Sequence, residues 1–360
     1  MIVRTLASAL FERKDNVNDV SDMTTRQLGM SFATTWASGP SVFLGVFFMW
    51  KYGVVPGTAW MVCNVLTLLL AGAFWTYVPL AREWVKISLF TLPLFLMYAV
   101  MECLIFLINL GAIKAIFDGK GLIERISILS FTSSATAAYI AAAVGAAIVV
   151  LIHRYGFRGS AVSDVWQYVI QMLAAVLFAA LAVWFSNPSA LSPELFAPGG
   201  SDWMILGMAG MITGAFSYAQ MWERLAAVRH QDAIKVAAWG ALFFGVYMVC
   251  IWIFAFFATK NVILSWIAIV IILTIATSTI DSSVAGLQFI AAKLRLPAWC
   301  GSIVALGVVI SFLVVPQSGI NDIWNLMASI RWQVVAIAVS VTILLQCVVW
   351  MRRASTKTET

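Results

Sequence analysis

Long apolar stretches separated by short polar segments dominate the whole chain. Each is a continuous run of mostly apolar residues, close to the ~20 that a helix needs to cross a bilayer. None shows the period-two alternation that a strand of a membrane β-barrel requires. The pattern predicts an all-α integral membrane protein with ten transmembrane spans, numbered here one to ten. The spans run approximately over residues 28–50, 55–80, 87–113, 130–153, 164–186, 203–222, 233–258, 262–292, 299–316 and 331–351.

Composition leads to the same conclusion and narrows the range of partners. Hydrophobic residues make up 62% of the 360-residue chain and charged residues 11%, with a mean hydropathy of +0.95. Soluble domains carry roughly 25% charged residues, so we expect the lipid bilayer to surround most of this chain. Basic loops of a membrane protein account for the net charge of +6, and we expect no nucleic-acid partner. The sequence contains no hydrolytic or redox constellation, and we predict that the protein is not an enzyme.

The distribution of lysine and arginine predicts the orientation of the spans. The N-terminal segment and the even-numbered connections, Arg224 among them, hold 16 of the 22 basic residues. The opposite side holds the remainder, including Arg331, and the long connection 187–202 has none. Because basic residues accumulate on cytoplasmic loops, both termini are predicted to be cytoplasmic, in a plasma (inner) membrane.

An even number of spans with both ends on one side divides naturally into two halves of five. An odd number of spans per half means that the second half enters the membrane from the opposite side, as in the inverted repeats of many transporters. The predicted organisation has five parts. They are a cytoplasmic segment 1–27, a first repeat 28–186, an external loop 187–202, a second repeat 203–351 and a cytoplasmic tail 352–360.

The first span of each half contains residues that interrupt helices. Span one carries Gly39 and Pro40 within the run TTWASGP at residues 34–40. Proline removes a backbone donor and glycine permits unusual torsions. Span six carries glycines between 207 and 214. Interrupted helices at matching positions of two repeats indicate a transport site, although glycine in membrane helices can also serve close packing.

Several polar side chains fall where a span should be apolar. Glu102 lies in the middle of span three, Asp164 opens span five, and Asp281 lies in the oxygen-rich run 276–283 of span eight. Charged groups in membrane helices are costly and commonly mark a pathway or a pair. The hydroxyls of Ser278 and Thr279 suit an alkali cation, or else they bond back to carbonyls of their own helix.

Four stretches together resemble the sodium:solute symporter (SSS) family, whose members have the LeuT-type fold of the APC superfamily. The most specific are YGFRGSAVSDVWQ at 155–167 and STIDS at 278–282, which is close to the family's Ser-Thr-x-Asp-Ser. The others are TTWASGPSVFLG at 34–45 and QMWERLAA at 220–227. The resemblance implies a minimal ten-helix core, a 5+5 inverted repeat with broken helices one and six.

The resemblance also implies site residues. Sodium, Na+, would be the coupling ion, with no organic cofactor. It would be bound by the side chains of Ser278 and Thr279 and the backbone carbonyls of Thr34, Ala37 and Ile275, with Asp164 on its path. A small organic solute would bind between helices one, three, six and ten. The residues beside it would be Trp36, Ser38, Gly39, Tyr98, Glu102, Phe216 and Tyr218.

The favoured hypothesis is a secondary active transporter that couples sodium influx to solute uptake by alternating access. One alternative is a non-transporting sensor or accessory membrane subunit that retains the fold and needs a membrane partner subunit to signal. The other is a proton-coupled transporter of the same fold, with Glu102 or Asp164 as the proton carrier.

Overall fold

The computed structural model describes residues 20–37, 41–118, 132–185, 194–257, 262–315 and 318–358, and its regular elements are all helical. Eleven α-helices and two short 3-10 helices follow one another along these residues. The α-helices are α1 (Thr25–Trp36), α2 (Ser41–Tyr52), α3 (Val54–Tyr77), α4 (Leu92–Asp118), α5 (Ser134–Phe185), α6 (Gly200–Ile212), α7 (Ala219–Ala226), α8 (Ala233–Phe257), α9 (Val262–Lys293), α10 (Ala298–Val314) and α11 (Ser318–Thr358). The 3-10 helices are Pro79–Val85 and Gly214–Ser217.

The described helices confirm an integral membrane protein. Six of them contain a segment long and apolar enough to cross a bilayer, in α3, α4, α5, α8, α9 and α11, and α10 is a shorter apolar helix. Large apolar side chains point outward, as with Trp184, which is 81% exposed, and Val314, which is 76% exposed. Such an exterior fits lipid rather than water. The count of ten spans stays a prediction.

Spans one and six are both interrupted, as their breaker residues predict. Helix α1 ends at Trp36, and Ala37 is extended with φ −64° and ψ 132°, before α2 begins at Ser41. Helix α6 ends at Ile212, and the chain reaches α7 through the 3-10 turn Gly214–Ser217 and an extended Tyr218. Two predicted solute-site residues, Ser38 and Gly39, lie outside the described residues.

The junction of spans four and five differs from the expected polar connection. Residues 154–163 are helical and belong to α5, in which Gly156 alone has non-helical torsions, with φ 57° and ψ −155°. A side chain is disfavoured at a positive φ, whereas glycine adopts it readily. One glycine therefore replaces a loop at the place where the two spans meet.

Two arginines that the charge pattern assigned to loops are interior residues. Arg331 lies inside α11, which begins at Ser318, and is 2% exposed. Arg224 lies in α7 and is 0% exposed. Both loop assignments are wrong, because the charge pattern treats every basic residue as interfacial. The charge pattern counted one of these arginines on each predicted side, so the difference in basic residues that predicts the orientation is unchanged.

Helix α9 lies at the centre of the bundle and positions the site. It packs against α5, α4, α10 and α7, and also contacts α1. Helix α1 packs mainly against α8 and α5. The polar run of α9 is thereby held against both interrupted spans.

Candidate ion and solute sites

The end of α1 meets the middle of α9 through a threonine hydroxyl. Thr279 Oγ1 donates to the carbonyl oxygen of Ala37 at 2.6 Å and to that of Ile275 at 2.9 Å. Because Ala37 is extended, its carbonyl is directed away from the α1 ladder and can serve a partner on another helix. Three of the five predicted sodium ligands, Ala37, Ile275 and Thr279, are therefore brought together.

The side chains of the other two predicted ligands turn toward α5. Ser278 Oγ donates to Asp164 Oδ1, a short bond. Thr34 Oγ1 donates to the backbone carbonyl of Met30 at 2.8 Å and to that of Asp164 at 3.3 Å. The five predicted residues thus surround one junction of α1, α5 and α9, in two groups.

Asp164, predicted on the sodium path, forms a fully buried ion pair with Arg224. Their Oδ2 and Nη2 atoms are 2.7 Å apart, and both side chains are 0% exposed. The same carboxylate oxygen accepts from Ser31 at 2.6 Å and from Thr35 at 3.2 Å. Buried ion pairs persist only where further hydrogen bonds satisfy the remaining polar atoms, and this carboxylate has them on both oxygens.

Arg224 is one of two buried basic residues near these sites that sequence reasoning missed. Its Nε donates to Ser31 at 2.9 Å and its Nη1 to the carbonyl of Gln220 at 3.0 Å. Its Nη2 also donates to Ser282 at 2.8 Å and to Ser160 at 3.3 Å. The run Gln-x-x-x-Arg at 220–224 was a usable signal, because a four-residue spacing puts both residues on one helix face.

A second carboxylate completes this set. Asp281 accepts from Ser160 at 2.9 Å, from Ser163 at 2.5 Å and from Ser282 at 3.2 Å. The hydrogen-bonded set is called here the Asp164 network. It comprises Ser31, Thr35, Ser160, Ser163, Asp164, Arg224, Ser278, Asp281 and Ser282.

Glu102 occupies a different place, where α4 meets the start of α7. It is 0% exposed, and its Oε1 accepts from the backbone N–H of Gln220 at 3.0 Å. A carboxylate suits the first turn of a helix, whose N–H groups have no partner within the helix. Its Oε2 makes no hydrogen bond to a described residue. Gly286 of α9 lies against this carboxyl, because a Cβ there would come within 2.9 Å of its Cδ and Oε1.

The predicted aromatic residues surround the break in span six in different ways. Trp36 packs on Gly214, where a Cβ would meet its ring at 2.3 Å, and it meets Tyr218 edge to face at 5.9 Å. Tyr98 is buried one helical turn before Glu102. The ring of Phe216 instead joins an aromatic cluster with three other rings, those of Phe74, Trp84 and Trp222.

Arg331 was also missed and lies beside the same break. Its Nη2 donates to the carbonyl of Gly210 at 3.0 Å and its Nη1 to the Tyr218 hydroxyl at 3.3 Å. Gly210 precedes the break and Gln220 follows it, so Arg331 and Glu102 reach it from opposite ends. These residues are called here the Glu102 cluster. It comprises Trp36, Glu102, Tyr218, Gln220 and Arg331.

Comparison with known proteins gives structural but not sequence relatives. No protein-family model matches the chain, and no curated protein matches it. A manganese transporter of Eremococcus coleocola is 13% identical over 89% of this chain and 78% of its own, with a TM-score of 0.56. A mutant of the same transporter is 12% identical over 89% and 78%, with a TM-score of 0.58. A Na+-coupled sialic acid symporter, in a substrate-bound outward-open state, is 12% identical over 88% and 79%, with a TM-score of 0.57.

These likenesses establish the fold. The chain has a LeuT-like, all-helical membrane fold, and the solved structures described above are transporters, not enzymes.

Proposed function

We propose that this protein is a secondary active transporter that couples sodium influx to the uptake of a small organic solute by alternating access. The proposal includes ten spans in a 5+5 inverted repeat, membership of the sodium:solute symporter family, and cytoplasmic termini in a plasma membrane. The observation that carries it is the contact of Thr279 with the carbonyls of Ala37 and Ile275, which joins an interrupted helix to a continuous one.

The chemistry of this junction supports an alkali cation. Hydroxyl and carbonyl oxygens are hard ligands. In the described part of the chain, no group of three or more His, Cys, Asp or Glu side chains could hold a metal ion. Among the two structural relatives, sodium coupling is therefore a better precedent for this site than manganese transport.

The charges beside the junction support one added positive charge. With Asp281 protonated, Asp164 and Arg224 balance each other, whereas with both carboxylates ionised one negative charge remains in the Asp164 network. An uncompensated charge in a membrane interior is costly, and a monovalent cation at the junction would offset it. Sodium that ties α1 to α9 would favour the conformation in which they meet, and with it solute binding.

A sodium titration of thermal unfolding tests the ion site. We expect sodium chloride, compared with choline chloride at equal ionic strength, to raise the Tm of the purified protein. Thr279→Ala should abolish that rise. Thr274→Ala is the matched control on the same helix, because Thr274 bonds only to carbonyls of its own helix at Val270 and Ile271. A sodium response that survives Thr279→Ala would refute the site, and none in the unmodified protein would refute sodium coupling.

Proton coupling is the second candidate function, and the surroundings of the Glu102 carboxyl support it. Its Oε2 lacks a hydrogen bond to a described residue, and it faces an interrupted span. Asp164 is a weaker candidate for the carrier, because its carboxylate is already paired with Arg224. Solute uptake driven by a pH gradient in sodium-free proteoliposomes, and lost in Glu102→Gln, would decide for a proton.

A further inference from the structure

We infer that the solute is a small zwitterion, whose carboxylate binds Arg331 and whose amine binds Glu102 across the break in span six. The inference rests on the proposed transport function and names the substrate class of its solute site.

Two side chains of opposite charge reach the same interruption. Arg331 contacts Gly210 before the break, and Glu102 contacts Gln220 after it. Both are buried, at 2% and 0% exposure. Arg331 lies about 20 Å along α11 from its start, at 1.5 Å per residue, so it is well inside the bundle.

Tyr218 separates the two charges. Its hydroxyl accepts from Arg331 at 3.3 Å, and the residue is also within electrostatic reach of Glu102. Glu102 and Arg331 therefore flank one extended residue without forming an ion pair with each other. A ligand with one anionic and one cationic group can contact both at once.

Three buried polar atoms of the Glu102 cluster have no hydrogen-bond partner among the described residues. Glu102 Oε2, Gln220 Oε1 and Trp36 Nε1 are buried and make no hydrogen bond to a described residue. Buried polar groups are nearly always hydrogen-bonded, so three such atoms around one break indicate a bound polar molecule. Two of them are acceptors that suit an ammonium group.

The chemistry of each charged group fixes the orientation of the solute. A guanidinium binds a carboxylate through two parallel N–H donors, and a carboxylate oxygen accepts from an ammonium group. The side chains of Trp36 and Tyr218, which meet edge to face, would flank the carbon skeleton between the two groups. A neutral sugar or a simple anion would place no cationic group beside Glu102.

A matched ligand panel tests the inference on the full chain in detergent. The zwitterions are glycine, β-alanine, 4-aminobutanoate, 5-aminopentanoate, L-proline and L-leucine. Each is compared with its N-acetyl derivative, which keeps only the anion, and its amide, which keeps only the cation. Affinity is measured by thermal shift in sodium chloride. We expect at least one zwitterion to bind about tenfold or more tightly than both of its derivatives, because each lacks one charged hydrogen bond.

Two variants distinguish recognition from folding. Glu102→Gln should remove the preference for the zwitterion over its N-acetyl derivative but keep the preference over the amide. Arg331→Gln should do the reverse. A residue that only supports the fold would weaken all three ligands together. If a variant does not fold, the panel on the unmodified protein still decides.

The outcomes separate this inference from the proposed function. Binding of no zwitterion, equal binding of a single-charge derivative, or sodium-stimulated binding of an uncharged solute would overturn the inference. The last of these would leave the transport proposal standing. Zwitterion binding that does not respond to sodium would support the inference and count against sodium coupling.

Discussion

Two buried carboxylates in the same helical bundle have opposite surroundings. Asp164 accepts hydrogen bonds from Ser31, Thr35 and Ser278 and pairs with Arg224. Glu102 is equally buried, but it accepts one backbone N–H on one oxygen and has no described hydrogen bond on the other.

The hydrogen bonds of Asp164 are satisfied by the protein itself, whereas those of Glu102 are satisfied only in part. The chain itself supplies the counter-ion and the donors of Asp164. They come from α1, α7 and α9, so they join these three helices to α5, which carries Asp164. Around Glu102, several buried polar atoms make no hydrogen bond to a described residue. Such atoms are costly in a low-dielectric interior unless a ligand forms hydrogen bonds with them. On the proposed function, the first region would serve coupling and the second recognition of the solute.

The largest effect should come from breaking the Asp164 network. Arg224→Met removes one member of a fully buried pair, and we expect a loss of about 3–5 kcal/mol in the free energy of unfolding. Denaturant unfolding in detergent measures it. The double variant Arg224→Met, Asp164→Asn should recover part of the loss, because it also removes the carboxylate charge that Arg224 balances. A loss below about 1 kcal/mol for the single variant would mean that the pair is solvated after all.

Ser278 decides how far the ion junction and the Asp164 network overlap. Ser278→Ala removes a hydrogen bond to a buried carboxylate, and we expect it to cost about 1.5–3 kcal/mol with or without sodium. The sodium-dependent part of the stability should be largely kept, in contrast to Thr279→Ala. Loss of only the sodium-dependent part would instead make Ser278 a direct ligand.

A smaller effect should follow from crowding Glu102. Gly286→Ala places a Cβ within 2.9 Å of its carboxyl, and we expect about 1–3 kcal/mol of destabilisation together with weaker solute binding. Gly307→Ala in α10 is the matched control, because a Cβ there meets nothing within 4 Å. Its stability should be unchanged or slightly raised, since alanine is the better helix former. Equal behaviour of the two variants would show that Glu102 moves aside freely.

The smallest effect should come from a carboxylate at the start of α8, outside the apolar spans. Hydrogen bonds from Lys235 and then Arg229 lower the pKa of Asp232 below its usual value. A carboxyl with a lowered folded pKa contributes stability above its unfolded pKa, of about 3.9, and loses it as the pH falls through the folded value. Asp232→Asn should therefore change unfolding only slightly at pH 7, and less so in high salt. A salt-independent loss as large as that of Arg224→Met would contradict this.

The sequence predicted the membrane class and the interrupted spans, because both depend on local composition. Residues such as Gly39 and Pro40 signal a break wherever they occur. The resemblance also led to Thr279, Ala37 and Ile275, which the structure brings into contact.

The interior arginines could not be predicted in the same way. The burial of Arg224 depends on Asp164, Ser160 and Ser282, which lie far from it in the chain. Helix α11 begins at Ser318, before the predicted start of span ten, because Asn321, Asp322 and Asn325 depress the hydropathy of a segment whose backbone is helical. Hydropathy depends on the side chains, whereas a helix continues as long as its backbone hydrogen bonds do. A helix can therefore extend beyond the apolar part of its sequence.

The contact of Trp36 with Gly214 has a mechanical consequence. The Trp36 ring fills the space that a side chain at Gly214 would take, so span one and span six each limit the movement of the other. If one half-helix tilts inward, it must first push on, or withdraw from, the half-helix at the other break. We therefore expect the breaks in spans one and six to move together, because the indole of Trp36 keeps them in contact.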